Sequence, residues 1–238
     1  MAKHAIMGKS QLTAEQMKKF LLLKNGAPQL NGMDVLEFCK LYIEEGEAEG
    51  VRGDYAFAQS LHETGFFKFS GQVLPAQNNY AGLGATNNSG IGKGAWFSDQ
   101  RKGVRAQIQH LKAYASYGRL NNECVDPRFT LVTRGCAPNL EDLAGKWAVP
   151  GYPSKYSSYE AAYAANETYG QKILTMYNQI AGVVVNKPVK EDVKKPVKNE
   201  TNNNVTDENI CDKIGKVKKD FINSTLGLFG KIFGIGKK

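Results

Sequence analysis

The sequence predicts a mainly helical α+β fold: a helical domain with one small β-hairpin, then a linker and a C-terminal amphipathic helix. Three observations carry that prediction. Capping residues recur just ahead of apolar runs with helical period, a Gly/Asn/Ser-rich stretch interrupts them between residues 70 and 94, and the composition breaks near Val183.

Thr13 followed by Gln16 has capping-box spacing and precedes Met17, Phe20 and Leu21. Asp34 with Glu37 repeats the spacing before Val35, Leu36, Phe38, Tyr42 and Ile43, with Gly46 as the expected stop. A third helix is expected over Asp54–Thr64, with Phe57, Ala58 and Leu61 inward and Gly65 as its break. The stretch from Ser70 to Gly94 reads as loops around a short hairpin. Helical period returns at Val104, Ile108 and Leu111, with Asp99 as a cap ahead of it. A short helix is expected near Leu140–Trp147, a loop and short helix over Tyr152–Tyr163, and a last helix over Tyr169–Ile180.

These elements make residues 1–182 one domain. Residues 183–208, with two KPVK units and an Asn run, read as a linker, and 209–238 as a basic amphipathic segment. In that segment Ile214, Val217, Phe221, Leu228, Ile232 and Ile235 recur on one face among lysines. Residues 183–238 hold twelve Lys and seven Asp/Glu, so +5 of the net charge of +8 lies there. Its expected partners are an anionic wall polymer or membrane surface, or a second copy of the chain, and not nucleic acid.

Hydrophobic residues make up 42% of the 238, enough for a packed core, and no run of about 20 apolar residues offers a membrane span. The segment MAKHAIMGKSQLTAEQ lacks the apolar core of a signal peptide, so synthesis in the cytoplasm is expected. Cys39, Cys124, Cys136 and Cys211 have no metal-binding spacing; Cys39 fits a buried thiol, and free thiols are expected over a Cys124–Cys136 bridge.

The chemistry centres on AFAQSLHETG, residues 56–65. Glu63 falls one turn beyond Gln59 and off the core stripe, in a last turn where the negative end of the helix dipole disfavours a carboxylate. Phe66 and Phe67 follow and are expected to desolvate it. Both effects raise a carboxyl pKa, as a general acid working near neutral pH requires.

The segment E-T-G-F-F-x-F-S, then Q-N-N-Y-A-G-L-G-A, resembles the signature of glucosaminidase-type cell-wall hydrolases of bacteria and phages, the autolysin and flagellar peptidoglycan-hydrolase type. The resemblance runs over about residues 35–181. It implies a lysozyme-like helical fold with a groove for peptidoglycan strands and Glu63 as general acid. It also brings Asn78, Asn79, Tyr80 and Gly82 onto the N-N-x-x-G block. The family's G-Y-A-T-D-P-x-Y motif is matched here by K-W-A-V-P-G, which implies Trp147 at its first tyrosine and Tyr169 at its second, with Tyr152 as a candidate for the missing hydroxyl. Asn78, Asn79, Tyr80, Trp147, Tyr152 and Tyr169 are therefore the expected substrate-binding residues, with Trp96 a further aromatic for the groove wall.

Family members often carry a second acid between the N-N-x-x-G block and the next aromatic strand; no Asp or Glu lies between Gly82 and Phe97. Asp54, Asp99 and Glu123 are each expected to be dispensable. Two routes stay open, attack by the substrate's own N-acetyl group or direct attack by a water held at Asn79 or Tyr80. The bond expected to be cut is N-acetylglucosaminyl-β-1,4-N-acetylmuramic acid, with muramidase or lytic transglycosylase chemistry as the alternative. The architecture resembles a phage endolysin acting on the wall, with a host autolysin as the alternative setting.

Neither a cofactor nor a metal is expected. His62-Glu63 is not followed by the second histidine of HExxH, which speaks against a zinc amidase. A Cys/His peptidase would need Cys124 or Cys136 activated beside His110. A glycan-binding module without catalysis is the third alternative.

Overall fold

The computed structural model describes residues 3–85 and 90–185. Six α-helices carry it: α1 (Ala14–Lys24), α2 (Val35–Glu49), α3 (Gly53–Thr64), α4 (Gln100–Ala115), α5 (Tyr159–Ala164) and α6 (Tyr169–Ala181). The mainly helical class is as the sequence predicts. Residues 186–238, which hold most of the expected linker and the whole amphipathic segment, lie outside the described residues.

Helix α3 is the axis of the domain, with α2, α4 and α6 packed around it. That placement buries every residue from Gly53 to Leu61, so its polar residues must find partners inside the protein. Asp54 is fully buried; it pairs with Arg52 at 2.8 Å and accepts from the backbone N–H of Gln11 at 2.7 Å. Asp54 thus pins the N-terminal segment to α3, a structural role, and its removal would cost stability. An uncompensated buried Arg52 would remain.

The helix ends explain where the elements stop. At α1 the Thr13–Gln16 capping box forms in both directions. At α2 only half of the box forms: Asp34 accepts from Leu36 and Glu37. Gly46 does not end α2, which runs to Glu49 and stops at left-handed Gly50, φ 71°. Gly46 serves instead as a contact, because a Cβ there would sit 2.8 Å from the backbone nitrogen of Gly53. Asp99 caps α4 as expected, accepting from Lys102 N–H at 2.8 Å. Residues Leu140–Leu143 form a 3-10 turn rather than an α-helix reaching Trp147.

The expected β-hairpin is absent among the described residues of 70–94, which form turns and a 3-10 turn at Pro75–Gln77. A few main-chain bonds cross the loop, Ala95 N–H to Leu83 O at 2.8 Å and Phe97 N–H to Gln77 O at 3.0 Å, and side-chain amides take further carbonyls. Gln77 donates to Gly94 O at 3.0 Å, Asn78 to Phe97 O at 3.0 Å and Asn79 to Leu83 O at 2.9 Å.

Aromatic rings fill the centre of the core. Phe38 stands edge-on to Tyr42, Phe67 and Tyr80, with centroids 5.5, 5.1 and 4.9 Å away, geometries that add to area burial. Cys39 is buried in the same cluster and its thiol is pushed up by that burial. Cys124 and Cys136 are free.

Gly103 sets the distance between α4 and the Asn78 turn, since a Cβ on it would lie 1.8 Å from Asn78 O. Gly103→Ala is expected to cost about 3 kcal/mol, as backbone on both sides must move. Gly26→Ala, where a methyl meets nothing within 4 Å, should stay within about 0.5 kcal/mol. Urea unfolding of the two variants checks the difference; equal midpoints would contradict the packing.

Candidate active site

Glu63 sits in the last turn of α3, which Gly65 ends in the left-handed conformation at φ 58°. The chain stays left-handed through Phe66 (φ 60°) and Phe67 (φ 58°), a run that bulky side chains rarely adopt and that costs roughly 1–3 kcal/mol per residue. The turn drives Phe67 into the core and lays Phe66 near Phe20. Neither ring is therefore the desolvating wall that the sequence reading expected beside Glu63.

That wall comes from elsewhere in the chain. Tyr169, the first residue of α6, donates its hydroxyl hydrogen to Glu63 Oε1. The Trp147 side chain lies near enough to the carboxyl to favour its ionised form. Phe69, Gln72, Asn79 and Gly82 line the small cavity of about 40 Å³ that Glu63 faces. Gly82 lies over the carboxyl, its absent Cβ 4.0 Å from Oε2, and its φ of 64° suits glycine alone.

The Glu63 side chain is open along one flank, while protein atoms crowd its carboxyl on the others. Burial raises its pKa above the ordinary carboxylate range; Tyr169 and Trp147 act in the opposite sense and are outweighed. The Tyr169 hydroxyl is pushed well above its usual range, by burial first and by the neighbouring Glu63 second, so it stays a proton donor in the hydrogen bond.

Behind Tyr169 runs a buried chain of hydrogen bonds. Gln59 Nε2 donates to the Tyr169 hydroxyl at 2.9 Å, Gln107 Nε2 to Gln59 Oε1 at 2.8 Å, and the Tyr42 hydroxyl to Gln107 Oε1 at 3.2 Å. Gln107 also donates to Ala56 O at 2.9 Å. Because the Tyr169 oxygen accepts from Gln59, its hydrogen is directed toward Glu63. Gln59 and Gln107 are positioning residues that the sequence reading missed. The signal available was their type, since amides inside apolar helix stripes demand internal partners.

The remaining predicted residues divide. Tyr152 lines a cleft of about 350 Å³ with His62 and Tyr169, but the hydroxyl on Glu63 is that of Tyr169, so Tyr152 replaces nothing. Asn78 and Tyr80 face inward. Asn78 accepts from Asn31 and from the Tyr80 hydroxyl, and the Tyr80 ring is 1% exposed in the core. Asn79 touches the Glu63 cavity, yet both ends of its amide are held by Leu83 and Ala95. Tyr80 is therefore core and not the groove wall expected of it, and the Asn78 and Asn79 amides are held inside the fold, next to the left-handed turn at Asn78, φ 50°. Trp96 is exposed, its indole N–H on Gly92 O at 3.1 Å.

Other chemistries find less support in the arrangement. His4 faces Glu141 and His110 faces Asp126 at 2.7 Å. Among the described residues no three His, Cys, Asp or Glu side chains converge as metal ligands. Burial raises the Cys124 thiol, the opposite of activation. The largest cleft, about 790 Å³ between the Leu140–Leu143 turn and α5, holds none of the predicted site residues.

A helical domain with a crowded, protonatable carboxyl where clefts meet has the form of a glycosidase domain. The chain belongs to the glucosaminidase family, described as mannosyl-glycoprotein endo-beta-N-acetylglucosaminidase, which matches residues 39–182. It is also similar to an uncharacterized protein of Borreliella burgdorferi, 49% identical over 141 residues. That match covers 59% of this chain and 66% of the relative's length, just under two thirds. No solved structure matches the chain.

The donor geometry gives a testable outcome. Tyr169→Phe removes a group that stabilises the ionised carboxyl, so the Glu63 titration moves to higher pH. Carbon-detected NMR of the glutamate carboxyls over a pH series, assigned with Glu63→Gln, measures it. A midpoint that stays put or falls would show that Tyr169 does not act on Glu63.

Proposed function

We propose that this chain hydrolyses the glycan strand of bacterial peptidoglycan at the N-acetylglucosaminyl-β-1,4-N-acetylmuramic acid bond, with Glu63 as general acid. The observation that carries this reading is the Glu63 carboxyl itself, its pKa raised by burial and its Oε1 accepting from the Tyr169 hydroxyl, with Trp147 beside it.

Protonated Glu63 gives its proton to the glycosidic oxygen as the C–O bond breaks, so the leaving sugar departs as a neutral alcohol. The carboxylate left behind is the species that Tyr169 and Trp147 favour. These interactions strengthen as charge develops, which lowers the barrier rather than the ground state. Acids lining the three clefts around the site are Glu63 and Glu167, and Glu167 is held by Lys155 at 2.6 Å. Asp99 is engaged as the α4 cap. The substrate's N-acetyl oxygen is accordingly the nucleophile we favour, with Glu63 then accepting a proton from the water that opens the cyclic intermediate.

Glu63→Gln is expected to lower wall lysis by at least about 10²-fold. It should also melt higher than wild type at neutral pH. Because the folded-state pKa of Glu63 is raised, its stability contribution is complete below the unfolded value, about pH 4, and is lost as pH rises through the folded value. The glutamine mimics the protonated form, so the gain should vanish near pH 4. Activity within a few-fold of wild type would remove Glu63 from the mechanism. Mass spectrometry of the fragments tests the bond: N-acetylglucosamine reducing ends support the proposal, while muramic or anhydromuramic ends would make the chain a muramidase or lytic transglycosylase.

The biological setting we propose is host-cell lysis, as a phage endolysin acting on the wall, with residues 186–238 as a targeting tail. Support comes from the lysine-rich composition and apolar period of that segment. The backbone carbonyls of Val183 and Val184 still accept from Gln16 and Lys19 of α1, so a truncation should fall after Val185. It should preserve cleavage of soluble strands and weaken binding to whole cells, more so at low salt. Equal binding by both forms would contradict targeting.

A further inference from the structure

A cleft of about 180 Å³ lined by Trp147 opens beside the Glu63 cavity, and Gly82 lines both. Its charge is one-sided. Arg128 and Lys146 line it, and no Asp or Glu does. Both side chains are exposed. The Arg128 guanidinium has no hydrogen-bond or ion-pair partner among the described residues, and Lys146 Nζ reaches only the main-chain oxygen of Asp142, at 3.1 Å.

Arg52, Arg101 and Arg105 are each held by a carboxylate, Asp54 for the first and Glu45 for the other two, whereas no carboxylate holds Arg128. Near the cleft the candidate carboxylates are already spent. Asp126 Oδ2 is on His110 at 2.7 Å and Oδ1 on the Arg128 backbone N–H at 2.9 Å. Asp142 accepts from Lys3 and Asn139. The aromatic floor is rigid: His110 stands edge-on to Trp147 at 4.9 Å and is itself fixed by Asp126. Two cations without a carboxylate partner, lining the same cleft as a fixed indole beside the Glu63 cavity, form a receptor for a sugar that carries a negative charge.

Resting on the hydrolase reading above, we infer that this cleft is an anion subsite of the glycan groove. It takes the carboxylate-bearing sugar next to the scissile bond through Arg128 and Lys146, and so selects acidic strands over neutral N-acetylglucosamine polymers. The carboxylate has two sources in the wall, the lactyl ether of a peptide-free muramyl residue and the stem peptide of a substituted one. In either case the group is the same, and its placement beside Trp147 sets the register of the strand over Glu63.

The test uses the full chain and one batch of glycan strands, half of it with its carboxylates converted to methylamides. The quantity read is the ratio of kcat/KM for acidic over neutralised strands at low salt. Wild type is expected to favour the acidic strands by about tenfold, with the preference fading as salt rises. Arg128→Glu should bring the ratio to one or below, and Arg128→Gln and Lys146→Gln should each lower it, at unchanged melting temperature. Peptide-stripped and peptide-bearing strands run in parallel assign the source, since a preference retained after stripping belongs to the lactyl carboxylate. A ratio that is the same in wild type and all three variants would overturn the subsite while leaving the hydrolase reading intact. Failure of wild type to cut either substrate would instead strike the hydrolase reading itself.

Discussion

The hydrogen bond from Tyr169 to Glu63 joins the last turn of α3 to the first residue of α6, and the arrangement of the domain follows from keeping it aligned. A carboxyl at this depth is costly to ionise without donors, and the donors are useful only if their own orientation is fixed. The Gln59, Gln107 and Tyr42 side chains supply that fixation from inside the helix packing. Because every member has a partner, the polar chain can run through an apolar core without leaving an orphaned group, and no buried side-chain N or O among the described residues lacks one.

Backbone strain complements this polar chain. The left-handed run at Gly65, Phe66 and Phe67 ends α3 abruptly, with Glu63 in its last turn. The Phe67 ring, locked against Phe38 and Tyr80, offsets the strain through burial. Tyr80 in turn rests on the turn that carries Asn78, Asn79 and Gly82, so the segment covering Glu63 and the helix presenting it share one aromatic cluster. Strain at the site and packing beneath it are parts of the same structure.

How much of this the sequence revealed depends on how local each feature is. The caps at Thr13, Asp34 and Asp99 and the C-terminal Gly65 are decided within a few residues, and they were legible. So was Glu63 as the residue of interest, because its helix-end position and the segments around it carry a recognisable signature. Tyr169 was legible only through that signature; nothing in its own neighbourhood points across 106 residues to Glu63. The Gln107–Gln59 contact is likewise long-range, spanning 48 residues. Asn78 and Tyr80 were misjudged because a single left-handed residue turned them inward. The hairpin failed for a related reason: Gln77, Asn78 and Asn79 look like loop residues in sequence, yet their amides hold the turns of this segment together beside a few main-chain bonds.

Glu63 is proposed to deliver a proton to a departing sugar oxygen. The most direct measurement compares wild type with Glu63→Ala on a series of aryl and alkyl chito-oligosides whose leaving groups differ in basicity. A poor alkoxide leaving group needs the proton; an acidic phenol departs without it. The loss in kcat caused by Glu63→Ala should therefore be large for alkyl leaving groups and shrink steadily toward the most acidic phenols. A loss of the same size across the whole series would contradict proton delivery by Glu63.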